Sequence, residues 1–91
     1  MSDEAFDAEA ALIQIKRVLR DMKLAERGSH FELRGKRVLE LKVAAATIEA
    51  RIARKLANTP EWDRQTVAST IDQRTLLDDI KKRLARWEQE D

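Results

Sequence analysis

Few side chains in this sequence can do chemistry, and their spacing limits what they can do. The only histidine, His30, has no cysteine and no second histidine to share a metal. Zinc needs three or four such ligands, so His30 is expected to be structural or solvated. Asp78 and Asp79 are adjacent carboxylates, the raw material of a general acid and base. Each has a base four residues on, Lys82 and Arg83, in the orientation that favours intrahelical ion pairs, so the pair is expected on a solvated helix face. Ser29, Ser69 and the threonines have no partner base in a recognisable motif, and no phosphate loop or dinucleotide fingerprint is present. No catalytic residue, metal or cofactor is expected.

The elements that would position any site read as helices. With 43% apolar residues in 91, two glycines and one proline, the chain makes one domain, residues 1–91, with little turn chemistry for an all-β fold. Ser2 is placed to cap a first helix over 3–27, with Asp3, Glu4 and Asp7 in its opening turns and Gly28 as its stop. Its main seam is Ala8, Leu12, Ile15, Leu19 and Met22, while Phe6, Ile13 and Leu24 fall together on nearly the opposite side and imply a second surface. In "NTPEW", Asn58 ends a second helix, Thr59 caps the next and Pro60 takes the first helical position, giving a third helix over 60–89. A break near 70–72 is allowed, because Asp72 offers a restart.

The middle stretch, "HFELRGKRVLELKVAAATIEARI", supports two readings. Its first half alternates like a hairpin turning at Arg34-Gly35, and Leu39, Leu41 and Val43 continue the alternation. Against that, Ser29 and Glu32 match a capping box, and Phe31, Val38, Leu41, Ala45, Ile48 and Ile52 hold one heptad register with Arg34 between them. A second seam of Leu39, Val43, Ala46, Ala50, Ala53 and Ala57 accompanies the first. The registers favour a helix over 30–57, and hence an all-α, antiparallel up-down-up three-helix bundle.

Net charge is +1 but segregated: residues 16–55 hold twelve bases against five acids. In a nucleic-acid-binding protein, Lys16, Arg17, Arg20, Lys23 and Arg27 would contact phosphates. Acids interrupt the stripe, and long antiparallel helices are not a helix-turn-helix, so this reading is secondary. The small chorismate mutases are similar in length and helical class, and Arg34 on a core seam would resemble the buried cations of their sites. No ordered set of Arg, Lys and Glu or Gln positions completes that likeness, which stays a remote alternative. The favoured reading is a non-enzymatic protein-interaction module, similar in size and class to secretion chaperones, inhibitors and adaptors of bacteria or their phages. It would self-associate as a homodimer or bind another protein through Phe6, Ile13, Leu24 and Arg34, with Trp62 and Trp87 as anchors. No membrane span or signal peptide is legible, which points to a cytoplasmic protein.

Overall fold

A residue with φ above zero cannot continue a right-handed helix, and the middle of this chain contains three such residues: Arg34 (φ 57), Gly35 (φ 81) and Ala45 (φ 56). Arg34 and Gly35 together form a two-residue turn of the kind that matches the twist of a hairpin. The computed structural model describes residues 6–57 and 59–89. It is an α+β fold: α1 (Ala8–Asp21), β1 (Ala25–Arg27), β2 (His30–Leu33), β3 (Lys36–Ala44), β4 (Thr47–Ala53), β5 (Trp62–Val67) and α2 (Thr70–Gln89). The strands form one antiparallel sheet in chain order.

The three-helix bundle is therefore overturned. Residues 30–57 are not a central helix but three strands, and the helix expected from residue 60 is β5 followed by α2. The resemblance in class to a small all-helical enzyme falls with the bundle. The break allowed near 70–72 is the true start of α2: Ser69 Oγ accepts from the Asp72 amide at 3.1 Å, and the Asp72 carboxylate accepts from the Ala68 amide. At the other end, Asp7 caps α1 by accepting from the amides of Glu9 and Ala10. Ser2, Asp3, Glu4 and Asn58 lie outside the described residues.

Helix α1 ends seven residues before Gly28, in a Schellman arrangement with Lys23 (φ 70) in the left-handed position. The Leu24 amide donates to the Leu19 carbonyl and the Lys23 amide to the Arg20 carbonyl, and both leucines are buried. Ala8, Ile15 and Leu19 of the α1 seam are buried as its spacing required, with Leu12 and Met22 packed against the core.

Of the heptad residues of the middle stretch, Phe31, Val38, Leu41, Ile48 and Ile52 do face the core, by a different geometry, while Ala45 is exposed in the turn between β3 and β4. Leu39 pairs with Ile52, Leu41 with Ala50 and Val43 with Ile48, and all point to the helices. Leu41 and Ile48 are seven apart because the two-residue turn after Ala44 shifts the alternation by one, and this imitates a heptad. Between Phe31 and Glu32 the β2–β3 register slips by one, leaving Val38 as the extra residue of a bulge, so that Val38 and Leu39 are both fully buried. Trp87 is also fully buried, at the far end of α2, so the last turn of the helix closes the core instead of presenting an anchor.

Two non-glycine turns carry strain that glycine removes. Lys23→Gly and Ala45→Gly are each expected to raise stability by about 0.5–1 kcal/mol, after the entropy that glycine adds to the unfolded chain. Thermal unfolding by circular dichroism checks this, and an unchanged or lower midpoint would contradict it. Trp87→Ala is expected to cost about 3–5 kcal/mol, a large share of the stability of a domain this size, read as a fall in the urea midpoint.

Candidate functional site

Both helices lie on one face of the sheet. α1 packs on β3 and β4, α2 packs on β5, and Gln73 Nε2 donates to Gln14 Oε1 between the helices. Among the described residues no helix or strand covers the other face. Alternation puts Glu40 and Lys42 of β3, Glu49 and Arg51 of β4, and Arg64 and Thr66 of β5 on it, around an open depression of about 600 Å3. Glu40 takes Arg37 at 3.6 Å and Arg51 at 3.9 Å, and Glu49 accepts from the Thr66 hydroxyl at 3.3 Å. Towards β1, Glu32 pairs with Arg27 at 3.8 Å and with His30 Nε2 at 3.0 Å. Lys42 and Arg64 have no ion-pair partner among the described residues, so the surface keeps free positive charge at its centre and at its β5 edge.

The tightest polar cluster lies under α2. β5 is an edge strand, and its inward positions Asp63 and Gln65 meet the polar flank of the helix rather than its apolar stripe. Asp63 accepts from Arg54 Nε at 2.8 Å and from Arg83 Nη1 at 2.9 Å. Arg83 also holds both oxygens of Asp79 at 3.1 Å and donates to the Ala53 carbonyl, while Gln65 donates to Asp79 at 2.7 Å. The hydrogen bond from Arg54, then that from Arg83, holds the Asp63 carboxyl below its usual range. The bond to Asp63 in turn raises Arg54. Burial, the largest single influence on Arg83, pulls it down, but the bonds to Asp79 and Asp63 outweigh burial and leave it raised. Asp63 is thus held ionised by its two guanidinium partners and is not poised to exchange protons near neutral pH. The cluster is a clamp joining β4, β5 and α2.

The residues expected to form a partner surface are scattered. Phe6 packs against the core, Leu24 is buried, and Ile13 is 58% exposed on the outer side of α1. Trp62 is half-buried on the open sheet face beside Pro60, and Trp87 is interior. Arg34 sits in the β2–β3 turn and donates to the Glu88 carbonyl at 3.2 Å, satisfying the C-terminal end of α2. The basic set is divided too. Lys16 and Arg20 pair with Glu26, Arg27 lies on the sheet with Glu32, Lys23 occupies the turn after α1, and Arg17 is exposed. Sequence reasoning missed Arg54, Asp63 and Gln65, which a helical register scatters. It found the Asp79–Arg83 pair, because a four-residue spacing needs no knowledge of the sheet. Among the described residues no group of three or more His, Cys, Asp or Glu could hold a metal, and no helix is long and apolar enough to cross a membrane. These features define a small α+β domain with a one-sided sheet. Compared with known proteins, the chain matches no family model, no curated protein and no solved structure.

The clamp predicts an acid-dependent stability. A carboxyl whose folded pKa is depressed stabilises the fold above its unfolded pKa of about 4, and that contribution is lost as pH falls through the lower folded value. Asp63→Asn is therefore expected to lower the melting temperature at pH 7. The gap to wild type should close as pH falls below about 4, read by thermal melts across a pH series.

Proposed function

We propose that this chain is a small non-enzymatic protein-interaction module that acts through the open layer of its sheet. The observation that carries this reading is the one-sided covering: two helices bury one face, while the opposite face and the outer edge of β5 have no covering element among the described residues. A single-layer sheet with a solvated face is stable in itself, and such a face presents many fixed side chains on rigid backbone, which suits recognition of another protein. Binding to nucleic acid is supported less well, because the bases that would track phosphates are divided among α1, the turn after it and the sheet, and most pair with acids.

The test uses the tagged full chain and a variant carrying Lys42→Gln with Arg51→Gln, two changes at the middle of the open face that put no like charges opposite each other. Wild type is expected to retain a protein from host lysate, and the variant to retain roughly tenfold less with an unchanged melting curve. Equal retention by both removes the open face from the reading. A labelled duplex that shifts at low salt and is released as salt rises would replace it with nucleic-acid binding.

A further inference from the structure

The two edges of the sheet are not equivalent. β1 is three residues long, too short to template another strand, and shortness is one of the ways proteins protect an edge. β5 runs six residues in unbroken register with β4, without a bulge and without proline inside it. The bond from the Arg54 amide to the Glu61 carbonyl fixes which way its backbone groups point. Hydrogen-bonded and non-hydrogen-bonded pairs alternate along an antiparallel ladder, so Asp63, Gln65 and Val67 turn their N–H and C=O to β4. Trp62, Arg64 and Thr66 turn theirs to the free side.

We infer, building on the interaction-module reading, that β5 pairs with β5 of a second copy of this chain, antiparallel about a two-fold axis centred on Gln65, to make one continuous sheet. Charge excludes the registers on one side of it, and centring on Thr66 would leave only Gln65, Thr66 and Val67 of the strand overlapped. Centring the axis on Arg64 sets two guanidinium groups directly opposite each other, and centring it on Asp63 does the same with two carboxylates; both are destabilising. Centring on Gln65 places Arg64 opposite the Thr66 of the copy, and their outward N–H and C=O groups exchange both backbone bonds. Beyond that threonine in the same row lies the Glu49 of the copy, because Glu49 and Thr66 are directly paired across β4 and β5. The Thr66 hydroxyl already draws Glu49 towards β5. Arg64, exposed and without an ion-pair partner among the described residues, then finds a carboxylate two strands away, about 10 Å between backbones and within reach of its long stem. Isologous pairing makes the contact twice.

The chain contains no cysteine, so single cysteines report the register directly. Residues facing each other in a non-hydrogen-bonded antiparallel pair have Cα atoms about 4.5 Å apart, inside disulfide range. Gln65→Cys under mild oxidation is expected to give a covalent dimer, and Arg64→Cys, which faces Thr66 of the copy, roughly tenfold less. In sedimentation the wild type is expected at twice its chain mass. Arg64→Glu and Glu49→Arg should each weaken the dimer by about tenfold, and the double exchange should restore it, with melting curves confirming that all variants are folded. A monomer mass at every concentration, or equal cross-linking of the two cysteine variants, overturns the pairing. If the open face still retains another protein in that case, self-pairing falls and the interaction reading stands. A register-specific dimer that retains no other protein upholds self-pairing and removes the foreign partner.

Discussion

A chain that enters the left-handed region at two consecutive residues must reverse, and Arg34 (φ 57) followed by Gly35 (φ 81) is where this one does. Once it reverses, β2 and β3 lie side by side, and the bulge at Val38 keeps Phe31, Val38 and Leu39 on one face despite a shift in register. The long β3–β4 hairpin then extends the same apolar row, and β5 closes it with Val67. Glycine carries the second turn position without penalty. Arginine carries the first at a cost of about 1–2 kcal/mol, offset in part because that backbone aims its guanidinium at the last carbonyls of α2. The strained turn thus ties the sheet to the end of the final helix.

The one-sidedness of the molecule follows from that row. Phe31, Leu39, Leu41, Ile48 and Ile52 need a cover, and α1 and α2 supply it with Ile15, Leu19, Leu76, Ile80 and Trp87. Two helices are enough for one face of five short strands, and no further element is present among the described residues to cover the other. At β5 the apolar row runs out. Asp63 and Gln65 occupy inward positions that would be unfavourable under an apolar helix face, and they are accommodated because α2 turns Asp79 and Arg83 towards them. The interior changes from apolar to ionic across the width of a single strand, so the clamp holds the edge strand in place without a hydrophobic anchor along most of its length.

An ionic clamp and an open face suit a protein whose work is done at its surface. Lys42 and Arg64, without an ion-pair partner among the described residues, stand on rigid strands, and the outer backbone groups of β5 line a free edge of the sheet. Recognition built on such features depends on geometry and charge more than on apolar area, in keeping with a chain that leaves only Ile13 and Ile71 as large exposed apolar residues among those described.

The sequence by itself determined what depends on near neighbours. It located helices towards both ends, though shorter than the spans 3–27 and 60–89, the α1 seam of Ala8, Ile15 and Leu19, the Asp79–Arg83 pair, and five of the six residues of the heptad set, Phe31, Val38, Leu41, Ile48 and Ile52, but not Ala45. The turn at Arg34-Gly35 was also legible, but a capping box and an unbroken heptad outweighed it, since the residues of the stretch are good helix formers and a two-residue turn between strands reproduces a seven-residue spacing. Only the tertiary structure decided between those periods. Strand pairing links residues far apart in the chain, such as Leu39 with Ile52 and Glu49 with Thr66, and its stabilisation comes from partners that no local window contains. The same distance dependence hid the clamp: Arg54, Asp63 and Arg83 meet only because β4, β5 and α2 fold against one another.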